Sequence, residues 1–283
     1  MVGCVSISRG SFAFVADLSR RETAMVYETG KEYLVEARLL PLAREAGCAD
    51  VDAYVARLRS DRSEQARALD ALTINETSWF RDRAPFDAFV EVMLPDLLRR
   101  RSASRKLRIW SAACSSGQEA YSLAMLLEDH LPADWNASIL ATDVSPTMVE
   151  RVRSGRYSQV EIDRGLPADL RARHFTRDGT GWRVSGRLRS RVEARSLNLA
   201  APFGELSSFD VVLLRNVLIY FDAQTRREVL RRMHDTLAPD GYLLLGAAET
   251  GLDMGGQWTR ELAGRVQLHR PARTPALAAT RGA

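Results

Sequence analysis

From about residue 106 the chain alternates short apolar runs with longer amphipathic stretches, and this rhythm restricts the fold more than any other feature. KLRIWSAAC is an apolar run ending in small residues, and the helical stretch QEAYSLAMLLEDHL follows at 118–131. ASILATD at 137–143 reads as a second strand. SPTMVERVRSGRY reads as a helix with Ser145 as N-cap and Pro146 in its first turn. FDVVLLRNVLIYF and GYLLLGAAE read as further strands, flanking a helix QTRREVLRRMHDTLAPDG at 224–241. Strands alternating with helices imply an α/β fold built on a doubly wound, mostly parallel sheet.

Two segments depart from the rhythm. Residues 1 to about 82 read as helical. EYLVEARLLPLAREAG at 32–47 sets Leu34, Ala37, Leu40, Leu42 and Ala46 on helical spacing and stops at Gly47. Pro41 makes this either two short helices or one kinked helix. DAYVARLRSD and QARALDALT repeat the amphipathic style. The second segment, about 157–197, has short alternating stretches such as GWRVSG and SRVEARSL, with glycines at 179, 181 and 186. It reads as a small antiparallel β insertion. The basic excess gathers there, with 12 arginines against 5 acidic residues over 151–195. The expected organisation is an all-helical N-terminal domain and linker at 1–88, then an α/β domain at 89–271. A disordered tail is expected at 272–283, where bulky apolar residues are few.

Composition excludes several classes. With 46% hydrophobic and 27% charged residues the chain has the balance of a soluble globular protein. A net charge of +4 gives no argument for a nucleic-acid partner. The three cysteines, Cys4, Cys48 and Cys114, are too few and scattered for a disulfide framework. The four histidines lie far apart, so no metal is expected. FAFVA at 12–16 is too short for a signal-peptide core, and VVLLRNVLIYF at 211–221 is interrupted by Arg215 and Asn216. A cytoplasmic protein without direct membrane insertion is expected.

The first strand runs into SAACSSGQEA at 111–120, whose small side chains let a ligand approach the backbone. No GxGxxG or P-loop is present, so a pyrophosphate is not the expected ligand. Asp143 ends the second strand, 26 residues beyond Gly117. There a carboxylate can accept hydrogen bonds from the ribose hydroxyls of an adenosine ligand, or it can complement the next helix N-terminus for up to ~1 kcal/mol. Glu119 can serve the positive end of a ligand or act as a first-turn acid.

TINETSWFRD at 73–82, SAACSSGQEAYSLAM, ATDVS, LLRNVLIYFD and GYLLLGAAE occur in order. Together they resemble the CheR family of chemotaxis protein-glutamate O-methyltransferases over nearly the whole chain. The resemblance implies that S-adenosyl-L-methionine is the cofactor and S-adenosyl-L-homocysteine the product. It implies that Asn75, Thr77 and Arg81 cover the cofactor, and that Glu119 and Asp143 bind its methionyl and adenosyl parts. Asn198 and Leu199, from RSLNLA, would flank the adenine, with Arg215 and Asn216 near the methionyl end. Arg81 and Tyr220 would be the catalytic residues beside the transferring methyl. For Arg81 the competing reading is a surface ion pair with Asp82 or Glu76, and for Tyr220 a strand-end aromatic packed on the core.

The implied substrate is the glutamate side chains on the cytoplasmic domain of membrane chemoreceptors, modified by a monomeric enzyme. A glutamate acceptor is ionised at neutral pH, its ordinary pKa being ~4.3, so no general base is required. The sequence departs from the family pattern in places. GQEAYS replaces a usual GEEPYS, and Trp79 a usual phenylalanine. Residues 1–82 carry 11 Lys+Arg against 13 Asp+Glu, where the family's receptor-docking face is typically basic. The loop TRDGTGWRV is shorter than the one through which some members hold a receptor pentapeptide, so no such tether is expected. The same chemistry on another signalling protein, and a non-catalytic cofactor-binding module, are the alternatives.

Overall fold

The computed structural model describes residues 7–206, 208–249 and 254–272. Four helices open the chain: α1 (Arg9–Thr23), α2 (Glu32–Glu45), α3 (Val51–Leu58) and α4 (Arg62–Leu72). Short polar side chains start three of them. Ser8, Asp50 and Asp61 each accept from a backbone N–H of the first turn. Pro41 lies inside α2, which continues through it as one helix. These helices bury Val15, Leu39, Tyr54, Val55 and Leu58 against one another in a core of their own. Each such side chain contributes roughly 1.5–3 kcal/mol.

A connector follows, with α5 (Ala84–Ala88), one π turn at Phe89–Met93 and α6 (Leu94–Arg100). The α/β region then runs β1 (Lys106–Ala112), α7 (Gln118–His130), β2 (Asn136–Asp143), α8 (Pro146–Ser154) and β3 (Arg156–Tyr157). Next come α9 (Gln159–Asp163), α10 (Ala168–His174), β4 (Phe175–Asp178), β5 (Gly181–Val184), α11 (Gly186–Arg189) and β6 (Val192–Ser196). The chain closes with β7 (Phe209–Leu214), α12 (Ala223–Thr236), β8 (Leu237–Leu245), β9 (Trp258–Ala263) and β10 (Val266–Pro271).

The seven-stranded sheet has the order β6-β2-β1-β7-β8-β10-β9. Its first five strands are parallel, and β10 pairs antiparallel with β8 and β9. Trp110, Val212 and Leu243 pack on one face and Ile109, Leu213 and Leu244 on the other, so helices cover both sides. The chain leaves β1 for β2 on one side and later returns to β7 on the other. The crevice beyond the carboxyl ends of β1 and β7 is therefore the topological switch point, where open α/β sheets bind ligands.

The antiparallel insertion is present as the three-stranded sheet β3-β5-β4, with α9, α10 and α11 around it. One expectation is corrected. SRVEARSL does not belong to that sheet, because Val192–Ser196 pairs in parallel with Ile139–Asp143 and forms the edge of the main sheet. An edge strand is half exposed, so it alternates in sequence like an antiparallel one. Similarly, the helix expected to 241 stops at Thr236, and LAPDG opens β8. FDVVLLRNVLIYF yields strand only to Leu214, followed by a 3-10 turn at Leu218–Tyr220. The expected disordered tail falls, from residue 273 on, outside the described residues. Among the described residues no helix is long and apolar enough to cross a membrane.

Candidate active site

At the end of β1 the backbone turns sharply. Ala113, Ser115 and Gly117 all have positive φ, at 59°, 50° and 94°. A Cβ on Gly117 would stand 2.9 Å from Cγ2 of Val152, so glycine lets this turn lie against α8. The turn is tied to β2. The N–H of Cys114 donates to the Thr142 carbonyl at 2.9 Å, and that of Ser115 to Oδ2 of Asp143 at 2.8 Å. Oδ1 of Asp143 accepts from the Ser145 N–H at 3.0 Å. Asp143 is only 6% exposed, and burial raises its carboxyl above the ordinary value while these N–H groups pull it back. A carboxylate has about four acceptor sites, so these donors do not exhaust it.

Beside it, Glu119 stands in the first turn of α7. Oε1 accepts from the Ser111 hydroxyl at 2.7 Å and Oε2 from Nη1 of Arg215 at 2.9 Å. Arg215, from the end of β7, is buried, and its Nη2 donates to Oδ2 of Asp82 at 2.7 Å and to the Arg81 carbonyl at 2.9 Å. Nε of Arg215 has no partner among the described residues. One buried guanidinium thus joins β7, α7 and the 73–82 junction.

The junction arches over this floor. Trp79 is fully buried, edge-on to Tyr157 and Phe175, and its Nε1 donates to the Glu161 carbonyl at 2.9 Å. Phe80, Asp82 and Arg83 follow with positive φ of 49°, 66° and 38°, strain that the surrounding bonds hold in place. Nη1 of Arg81 donates to the Glu76 carbonyl at 2.9 Å, while Asp82 pairs with Arg215, so the competing reading of Arg81 as a surface ion pair with Asp82 or Glu76 is not the arrangement found. The Asn75 carbonyl accepts from the Ser115 hydroxyl at 2.8 Å, which closes the arch onto the β1 turn. Half-buried Tyr220 lines the same cleft. Burial raises its phenol, and the positive charge of Arg81 lowers it.

The helical domain completes the wall. Thr23, which ends α1, and Met25, just beyond it, line the same cleft. Asn198 donates through Nδ2 to the Glu22 carbonyl at 2.6 Å, and the Val26 N–H donates to the Tyr220 carbonyl at 2.9 Å. Asp70, near the end of α4, accepts from the hydroxyls of Ser145 and Thr147. All ten expected residues, Asn75, Thr77, Arg81, Glu119, Asp143, Asn198, Leu199, Arg215, Asn216 and Tyr220, line this one cleft. Sequence reasoning missed Thr23, Met25, Val144, Leu197 and Phe221 in its lining. Leu197 and Val144 were readable as neighbours of Asn198 and Asp143, but nothing local marks Thr23 or Met25.

The family model described as "CheR methyltransferase, SAM binding domain" matches residues 75–263, and "CheR methyltransferase, all-alpha domain" matches residues 10–73. The chain belongs to the CheR methyltransferase family. Family membership carries the cofactor with it, and this protein is an S-adenosylmethionine-dependent methyltransferase. It is similar to "Chemotaxis protein methyltransferase 1" of Pseudomonas aeruginosa, 39% identical over 87% of this chain and 92% of that one. It is 42% identical to "Chemotaxis protein methyltransferase Cher2" of Pseudomonas putida, over 77% of this chain and 82% of that one. The "Chemotaxis protein methyltransferase" of Escherichia coli is 35% identical over 87% of this chain and 86% of its own. The boundary between the two family matches falls at the start of the arch, the segment that spans the helical domain and the sheet.

Proposed function

We propose that this protein methylates glutamate side-chain carboxylates on the cytoplasmic domain of chemoreceptors, giving glutamate methyl esters. The observation that carries this reading is the pair Arg81 and Tyr220, a cation and a phenol that line the same cleft, close enough for the charge of Arg81 to act on Tyr220. When bound, the cofactor supplies an electrophilic sulfonium methyl. The remaining work belongs to the chain's own side chains.

Asp143, a buried carboxylate with acceptor capacity left beyond its backbone donors, fits a ribose diol, and Leu199 with Met25 supplies apolar faces for a base. Glu119 fits an ammonium group, and the unpartnered Nε of Arg215 fits a carboxylate. Asn75, Thr77, Asn198 and Asn216 close the cleft around such a ligand. Arg81 can grip an acceptor carboxylate in a two-pronged way suited to a planar guanidinium. Tyr220 can donate one hydrogen bond to the same group. A glutamate acceptor is ionised at neutral pH, so Arg81 and Tyr220 would position it without having to move a proton. Alignment of the reactants can supply ~7–11 kcal/mol of the barrier reduction.

The turn between β4 and β5 is Gly179–Thr180, which supports methylation without a pentapeptide tether. The relatives' names carry the word chemotaxis, and we extend it to this chain as the pathway. A monomer acting from the cytoplasm, with domains at 1–88 and 89–271, completes the reading. The test is direct. Membranes containing receptors are incubated with the protein and methyl-labelled cofactor, and mild base is added. Label released as methanol is the expected result, and base-stable label rejects the ester. Arg81→Ala is expected to lose at least about 100-fold in turnover with cofactor affinity little changed. Near-wild-type turnover would reject its assigned role.

A further inference from the structure

Glu249 received no role from the sequence. It sits after β8 in a 3-10 turn, Ala247–Glu249, and its residue exposure is 0%. Oε1 accepts the backbone N–H of Val217 at 2.8 Å and of Leu218 at 2.7 Å. Oε2 accepts the backbone N–H of Asn216 and of Gly246, both at 2.8 Å. Four donors therefore converge on two oxygens, a demand that a carboxylate meets and an amide does not.

The clasped segment matters because of where it leads. Asn216–Leu218 joins β7 to the 3-10 turn that carries Tyr220, and Asn216 holds a positive φ of 58°. The Tyr220 N–H donates to the Val217 carbonyl at 3.1 Å, so the position of Val217 is handed on to Tyr220. Close approach is built in from the other side too. A Cβ on Gly246 would lie 2.7 Å from Oε2 of Glu249 and 2.8 Å from the Asn216 nitrogen. Glu249 is not among the residues lining the cleft, whereas Asn216 and Tyr220 are.

We infer that Glu249 is a positioning residue for methyl transfer, fixing Asn216 and Tyr220 in the cleft wall through its four backbone hydrogen bonds. This rests on the reading of Tyr220 as the residue beside the acceptor. The β1 turn, Glu119 and Asp143 are anchored independently on β1, α7 and β2. Asn216 is a shared contact, so cofactor affinity should also fall when Glu249 is changed, but by less than turnover.

Glu249→Gln sets an amide NH2 against two of the four N–H groups. A displacement of 1 Å can lower a rate by about 100-fold, so kcat should fall about 10- to 100-fold. Affinity for S-adenosylhomocysteine, measured by calorimetry, should fall by clearly less than kcat, because Glu119 and Asp143 keep their own anchors while only Asn216 loosens. In hydrogen exchange a peptide covering residues 215–221 should lose protection while residues 106–120 keep theirs. Glu249→Asp keeps all four acceptor positions on a shorter stem and should recover part of the turnover that glutamine loses. If Glu249→Gln does not fold, Gly246→Ala presses on the same junction and takes its place in each measurement. Wild-type turnover, unchanged exchange at 215–221, or product affinity falling in parallel with kcat would overturn the inference. Wild-type protein that labels no membrane protein would instead refute the methyl-ester reading, and exchange with calorimetry would still decide the role of Glu249.

Discussion

Arg215→Met removes the guanidinium at the centre of the site while leaving a side chain of similar reach. Arg215 is 2% exposed and its partner Glu119 13%, whereas Asp82 is 44% exposed. Removing one member of a buried pair costs about 3–5 kcal/mol, because the other charge stays behind unpaired. The Asp82 arm is screened by solvent and adds at most about 1 kcal/mol. Methionine returns some packing, so the net loss should be near 3 kcal/mol. For a domain of this size that lowers Tm by roughly 6–12 °C. The assay is a thermal melt paired with urea unfolding of the single variant and of Arg215→Met with Glu119→Gln. Since much of the penalty is the orphaned carboxylate, the second substitution should restore about 1–2 kcal/mol. A single variant losing less than about 1 kcal/mol, or a double variant weaker than the single, would refute the reasoning.

Asp143→Asn should weaken binding of S-adenosylhomocysteine by about 10- to 100-fold in calorimetry, since an amide offers the ligand hydroxyls fewer acceptors and opposes a backbone N–H. Burial raises the Asp143 carboxyl, so folding favours its protonated form. Its stability contribution is therefore complete below the ordinary carboxylate range and lost as pH rises through the raised value. Ligand binding needs the carboxylate, so product affinity should fall as pH drops through that same value, and the asparagine variant should lose this dependence. Gly165→Ala should destabilise by at least about 2 kcal/mol in urea unfolding, because an L-residue is strained there. Gly165 has φ +100° and a Cβ would stand 2.5 Å from the Trp79 carbonyl.

The elements legible in the sequence were those whose determinants are local. SPTMVERV carried its own N-cap, and Ser145 accepts the Met148 N–H as expected. KLRIWSA is buried without a break from Ile109 on because β1 lies in the middle of the sheet with neighbours on both sides. Asp143 and Glu119 were readable because they end a strand and begin a helix. What escaped depends on contacts distant in sequence. The main-sheet placement of β6 was hidden by its alternating edge pattern. The hairpin of β9 and β10 went unread, although WTRELA and VQLHRP flank Gly264 as two short runs around a turn. Glu249 gave no signal at all, because its donors come from residues 216–218, more than thirty positions away, as well as from Gly246. Thr23 and Met25 reach the cleft only because α1 is fastened to the sheet through Glu22 and Val26.

That fastening has a consequence of its own. A molecule seated in the cleft touches Thr23 and Met25 on one side and Asp143 and Arg215 on the other, so it acts as mortar between two separately cored bodies. The contacts that hold the joint therefore also bear on how readily such a molecule enters and leaves. Selection for a durable seam and selection for fast turnover pull on the same few contacts, Asn198 to Glu22 and Asp70 to Ser145 and Thr147, from opposite directions.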